Sequence, residues 1–269
     1  MALTDIRIVL VEPAGPLNIG SIARVMKNMG LEQMVLVNPH CDPLGPEARQ
    51  MAVHAGDLLE QARCVSTLPE ALVDCQRAIA TTARQRTLET PLEHPRTALP
   101  WLLAPEAAQP CPAALIFGPE DRGLSNDELN YAQRFVKIPS NPAYPSLNLA
   151  QSVAVCCYEL SQAFLGLPEG SDRPQSVPVT PASVEPLAPL DALEGYFQQL
   201  ESVLLAIGYL YPHTATSRME KFRRLFYRAQ LSASEVAMLR GILSQVMWAM
   251  QHPEQSTTRL PEQLGPEIF

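Results

Sequence analysis

The sequence predicts an α/β protein on a parallel sheet, followed by a small all-helical domain. Three observations carry this. Short β-branched and apolar runs alternate with helix-period segments through the first 165 residues. That alternation argues a parallel sheet with helices on both faces. A proline-punctuated stretch with little apolar periodicity then spans residues 168–189, with Pro168, Pro174, Pro178, Pro181, Pro186 and Pro189. It reads as a semi-extended linker. Beyond it the pattern is helical only, so the chain divides into residues 1–167, the linker 168–189, and residues 190–269.

The elements follow in order. Strands are expected at residues 6–11, 34–37, 78–82, 114–117 and 135–138. Helices are expected at 19–29, 51–59, 68–75, 126–132 and 149–165, where apolar residues recur at three- and four-residue intervals. Ser125 with Glu128 three residues on has the form of a capping box. In the last part, 190–207 and 232–250 read as long helices, the second opened by Ser232 and Glu235, with 217–229 helical between them.

Composition limits the function. Of 269 residues 46% are hydrophobic, enough for a sizeable core, and no run of about 18 apolar residues suggests a membrane span. The N-terminus enters a strand pattern directly, without the form of a signal peptide. The six cysteines show no CxxC pair and no histidine at metal spacing, which suits reduced thiols in a cytoplasmic protein, with Cys156 and Cys157 as core filler. No metal is expected, and the five histidines show no spacing to one another or to Asp that suggests a triad. The net charge of −8 excludes a basic nucleic-acid coat, but RNA remains open if positive charge is local. Only three cations are lysines; the rest are arginines, which suit phosphate and also arise from genomic base composition.

No G-x-G-x-x-G follows the first strand and no P-loop occurs, so the common nucleotide sites of parallel sheets are absent from the sequence. Three other segments stand at strand-to-helix turns, where parallel sheets bind ligands. Residues 11–31 place Asn18, Gly20 and Arg24 after the first strand. Residues 115–129 form a strand, a turn with Gly118, Glu120 and Gly123, and a helix. Residues 138–155 run from a strand end through a proline-rich loop that delivers Ser146, Leu147 and Asn148 to the start of an apolar helix. A helix N-terminus offers unpaired N–H groups and a positive dipole end.

Together these segments resemble the signature motifs of the SPOUT class of RNA methyltransferases, most closely its bacterial TrmJ family of tRNA ribose 2′-O-methyltransferases. The resemblance runs over residues 6–165 and resumes at 204–248. It implies a trefoil knot at the C-terminal end of the first domain, S-adenosylmethionine as cofactor, tRNA as substrate, methylation of cytidine or uridine at anticodon-loop position 32, and a homodimer formed through the knotted domain. Carried over by position, Thr81, Thr82, Ala83, Gly118, Ile138, Pro145, Ser146 and Leu147 would hold the cofactor.

Arg24 would be the main catalytic residue, with Asn18, Glu120, Ser146 and Asn148 beside it. The 2′-hydroxyl must lose its proton as it attacks a methyl carbon on sulfonium. Arginine is a poor base, its pKa lying above about 12, yet the hydroxyl is itself a very weak acid. Arg24 can equally fork a phosphate and stabilise the developing alkoxide, or be a solvated helix residue. Ser146 and Asn148 would place the hydroxyl or phosphate, and both are also helix-capping types. Glu120 would hold the active-site loops.

Near the C-terminus Lys221, Arg224 and Arg228 share a helix face, flanked by Arg218 and Arg223, with Met219, Phe222 and Phe226 on the other side. This reads as a phosphate-tracking stripe or as a solvated face. Arg84 and Arg86, past the third strand, would add to it. Three other readings stay open: the same chemistry at another tRNA position or on ribosomal RNA, a catalytically silent RNA-binding module of the same fold, and a nucleotide-dependent oxidoreductase, which the missing fingerprint disfavours.

Overall fold

The computed structural model describes residues 3–83, 91–103, 112–166 and 185–252. It divides into two compact units, residues 1–191 and 192–269.

The first unit is built on a seven-stranded sheet in the order β3-β2-β1-β6-β4-β7-β5, parallel throughout. The strands are β1 (Ile6–Val11), β2 (Gln33–Val37), β3 (Arg63–Val65), β4 (Arg77–Thr81), β5 (Leu92–Glu93), β6 (Ala113–Phe117) and β7 (Arg134–Val136). The register sets Val9 beside Val35 and Ile116, Ile79 beside Leu115, and Ala80 beside Phe135. Central strands of a parallel sheet are covered on both faces, so they read as continuous apolar runs. Every residue of β6 is buried.

The chain starts at the centre with β1, moves outward to β2 and β3, then crosses to β4 on the far side of β1. β6 is later inserted between them, and β7 between β4 and β5. The order therefore reverses around β1, β6 and β4. The expected five strands are all present. The short edge strands β3 and β5 fall outside the sequence reading, because two or three residues carry no measurable periodicity.

Among the described residues eight α-helices belong wholly to this unit: α1 (Pro16–Asn28), α2 (Pro46–Ala52), α3 (Gly56–Gln61), α4 (Leu68–Ala71), α5 (Pro95–Ala98), α6 (Pro100–Leu103), α7 (Asn126–Leu129) and α8 (Leu149–Leu165). The helix expected over 51–59 is instead two. Val53 stands at φ +54, in the left-handed region that β-branched residues avoid, and separates α2 from α3. α1 begins with Pro at its first turn, where the missing N–H costs nothing. A Cβ on Gly20 would stand 2.1 Å from the Ala48 carbonyl oxygen, so glycine there lets α1 and α2 touch backbone to backbone. α8 packs beside α1 and buries Val153, Cys156, Cys157 and Leu160 in the main core with Ile19, Ile22 and Met26. Burial pushes the Cys157 thiol up to about 12, which suits core filler and not a nucleophile.

The second unit holds α9 (Leu190–Ala206), whose first two residues belong to the first unit, together with α10 (Pro212–Ala229) and α11 (Ala233–Gln251). α10 starts five residues before the expected 217, opened by Pro212 after an extended Tyr211. Phe197 is fully buried, and Phe226 meets the Tyr196 ring edge-on at 5.1 Å. Both capping boxes, Ser125–Glu128 and Ser232–Glu235, are formed. No described helix is long and apolar enough to cross a membrane.

Candidate active site

Beyond the carboxyl ends of the neighbouring strands β6, β4 and β7 lies one pocket. Its floor is made by Thr81, Phe117 and Val136, the last residues of those strands. This is the reversal point of the strand order, the place where open parallel sheets bind ligands. One wall is the turn 118–124, the other is the loop 138–147, and Leu149 and Ser152 of α8 complete it. All eight positions expected to hold a cofactor, Thr81, Thr82, Ala83, Gly118, Ile138, Pro145, Ser146 and Leu147, line this single pocket.

Gly118 earns its place by a contact the sequence did not reveal. A Cβ there would stand 2.2 Å from the Leu124 nitrogen and 2.4 Å from the Gly123 carbonyl carbon. The missing side chain makes room for the chain's own returning backbone, which closes the turn. Gly123 supplies the reversal at φ +67, and its N–H donates to the Pro119 carbonyl at 3.0 Å.

The side chains beside the pocket form a polar relay. Asn18 Nδ2 donates to Glu120 Oε1 at 2.8 Å, and the backbone N–H groups of Gly15 and Ala14 donate to the two carboxylate oxygens at 3.2 Å each. Asn148 Nδ2 donates to Asn18 Oδ1 at 3.0 Å. Asn148 Oδ1 also caps α8 by accepting from the N–H of Ala150 at 2.9 Å and of Gln151 at 3.3 Å. The loop after β1, the turn after β6 and the start of α8 are thereby tied through three side chains. Burial pulls the Glu120 pKa upward, but the hydrogen bonds from Asn18 and from backbone N–H groups outweigh it, and the carboxyl sits below its ordinary range.

A second set was not legible in the sequence. Arg122 donates to Glu12 at 2.6 Å, to both oxygens of Glu128 at 2.9 and 3.0 Å, and to the Gly123 carbonyl at 3.0 Å. Its two carboxylate partners raise its pKa. Glu128 is also the capping-box residue of α7, and Glu12 stands at φ +46 just after β1. Arg122 thus ties the turn to two elements. The only sequence signal was an arginine inside a glycine turn six residues before a capping glutamate.

Of the expected catalytic residues, Asn18, Glu120 and Asn148 form the relay, while Glu120 and Ser146 line the pocket. Ser146 is exposed and does not cap α8. Arg24 stands apart from them. It lies six residues past Asn18 on α1, about 9 Å along the axis and about 240° around it. It is exposed and makes no hydrogen bond or ion pair among the described residues.

The expected RNA-binding cations divide. Arg84 and Arg86 lie outside the described residues. On α10, Lys221 and Arg228 are exposed, and Arg224 approaches Glu220 at 3.8 Å. Arg223, counted with the stripe in the sequence, points the other way. It pairs with Glu194 at 2.6 Å, both side chains only 15% exposed, and lies 4.6 Å over the Phe197 ring. It is a packing residue and leaves the stripe.

Residues 5–158 match the SpoU rRNA Methylase family, and residues 191–256 match the tRNA methyltransferase TrmJ C-terminal domain. The tRNA (cytidine/uridine-2'-O-)-methyltransferase TrmJ of Klebsiella pneumoniae is 41% identical over 244 residues, 91% of this chain and 97% of the relative. That of Pectobacterium atrosepticum is 42% identical over 249 residues, 91% and 97% of the two chains. The crystal structure of TrmJ from Z. mobilis ZM4 superposes with a TM-score of 0.74 at 33% identity, covering 90% of this chain and 98% of that one. The chain belongs to the SpoU methylase family and, within it, to the TrmJ methyltransferases.

Proposed function

We propose that the protein transfers a methyl group from S-adenosylmethionine to the 2′-hydroxyl of a cytidine or uridine ribose in tRNA, at anticodon-loop position 32. One observation carries this reading: eight turn positions scattered over 67 residues of sequence, Thr81 to Leu147, converge on one pocket, with the Glu120–Asn18–Asn148 relay beside it. Family membership and the names of the full-length relatives support it.

The lining suits the cofactor. Carboxylates of Glu120 and Asp121 face a site that must take a sulfonium cation, and Ile138, Leu147 and Leu149 offer apolar surface for a purine. When bound, S-adenosylmethionine supplies an electrophilic methyl carbon. The relay holds the three loops in one geometry, so that the attacking oxygen is positioned and not merely captured. Ser146 offers a hydroxyl at the pocket edge. Arg24, which stands apart from the relay on α1, takes the part of reaching the developing alkoxide or the adjacent phosphate once RNA is bound. The proton released from the hydroxyl passes to Arg24 acting as base or to solvent. In this reading the loop 139–148 and α8 close the trefoil knot, the protein is a homodimer through that region, and it works in the cytoplasm.

The direct test is mass mapping of ribose methylation in tRNA incubated with protein and S-adenosylmethionine. A single methylated ribose in the anticodon loop is expected, and no methylation of any tRNA would overturn the reading. Arg24→Ala should abolish transfer and leave S-adenosylhomocysteine affinity within a few-fold, as calorimetry reads it. Substantial transfer by the variant would remove Arg24 from the chemistry. Sedimentation should return twice the chain mass.

A further inference from the structure

The second unit concentrates exposed rings at one place, the start of α10. Tyr209 and Tyr211 are 53% and 56% exposed, whereas Tyr196 in the same unit is 3% exposed. Neither ring is loose. Arg218 lies 5.7 Å over the Tyr209 ring and donates to the Tyr209 carbonyl at 3.2 Å, and Phe222 meets the same ring at 6.4 Å. Tyr211 stacks on His213 at 6.0 Å with the planes 26° apart. Two flat surfaces are therefore held in place half in water, a poor bargain for stability alone.

The same helix supplies the charge. Arg218, Lys221, Arg224 and Arg228 recur at i, i+3, i+6 and i+10, within an arc of about 120° opposite the buried Ala215 and Met219. Tyr211 to Arg228 extends for about 25 Å along the helix. The net charge of the chain is −8, so this is a local inversion of sign.

We propose that Tyr209 with Arg218 and Tyr211 with His213 form a stacking platform for unpaired bases of the RNA, whose phosphates follow the cations of α10. Unpaired loop bases expose π-faces that stack on tyrosine, histidine and guanidinium planes, and every base offers such a face. Rings already fixed by neighbours lose little freedom on binding. The platform rests on the reading of this protein as an enzyme of tRNA, and it names where an unpaired loop is held.

The test uses the full-length protein and an anticodon stem-loop RNA carrying 2-aminopurine in its loop. Wild-type protein should quench the fluorophore on binding. Tyr211→Ala, at an exposed site, should keep the wild-type circular dichroism and melting temperature, lose the quenching, and bind roughly five- to a hundredfold more weakly. Its salt dependence should be unchanged, because no cation is lost. Tyr211→Phe should behave as wild type, since it keeps the ring. Unchanged affinity and quenching in folded Tyr211→Ala would overturn the platform. If wild-type protein methylates no tRNA yet Tyr211 still governs quenching, the enzyme reading falls and the platform stands.

Discussion

The two walls of the pocket are held in different ways. The turn 118–124 is fixed by side chains from three other elements: Glu12, Asn18 and Glu128 all bond to it, and backbone presses against Gly118. The loop 139–148 holds itself. Ser140 Oγ donates to the Pro145 carbonyl at 2.8 Å, Asn141 closes a turn to Ala143 and Tyr144, and Tyr144 is 79% exposed. Its tie to the rest of the site is Asn148 on Asn18. A wall bonded to several elements opens only when they open, whereas a self-contained exposed loop moves at little cost. The first wall is expected to set where a ligand sits, and the second to adapt to it.

If the first wall is rigid, Gly118→Val should show the largest effect. The new side chain meets backbone, not a flexible tip, so the turn must open. Loss of S-adenosylhomocysteine binding by a hundredfold or more is expected in calorimetry, with a lower melting temperature. A folded variant of wild-type affinity would mean the turn yields, and the contrast between the walls would vanish. Arg122→Met comes next. It removes the ion pairs of Glu12 and Glu128, though Glu128 keeps its capping bond from the Ser125 N–H, and the three side chains are 40%, 29% and 18% exposed, so solvent screens much of the loss. A cost of about 1–2 kcal/mol in stability and roughly tenfold in cofactor affinity is expected. An affinity change without a stability change would place Arg122 on the ligand and not on the turn.

Acid should act on the same wall through Glu120. Its folded pKa is lowered, so the stability and order it lends are complete above the ordinary glutamate value of about 4.3 and fade as pH falls through the depressed folded value. Cofactor affinity should therefore be flat with respect to this group from pH 5 upward and fall only below about pH 4. Glu120→Gln keeps the shape and removes the titration. It should bind more weakly at pH 7 and lose part of the acid limb. An acid limb of full size in Glu120→Gln assigns the fall to other carboxylates.

The sequence carried the two walls unequally as well. The eight lining positions were named through the family resemblance, carried over by position, and apolar runs such as residues 113–117 mark the strand ends near which most of them stand. The self-contained loop was legible for the same reason. Arg122 was not, because its partner Glu12 lies 110 residues away and local pattern has no access to such a pair. At Gly118 the chain's own returning backbone fills the space a Cβ would take, a contact that no local pattern shows. On α10 the helical period separated the packing face from the cations, yet it could not tell that Arg223 would find Glu194 on another helix. What pairs across the fold decides which charges stay free.

The smallest effect belongs to the adaptable wall. Ser140→Ala removes the hydroxyl that spans the loop to the Pro145 carbonyl. The bond is exposed, and water replaces it on both sides, so the stability loss should stay under about 1 kcal/mol. Ser140 does not line the pocket, but Pro145, Ser146 and Leu147 do, and the loop must order them when a ligand binds. The variant should therefore bind S-adenosylhomocysteine only two- to threefold more weakly, and the loss should appear in the entropy of binding. Hydrogen exchange across residues 139–148 should rise in the free variant and return to the wild-type level at saturating ligand. A tenfold loss, equal to that of Arg122→Met, would show that the loop is as rigid as the turn. The asymmetry between the walls would then be one of solvent exposure alone.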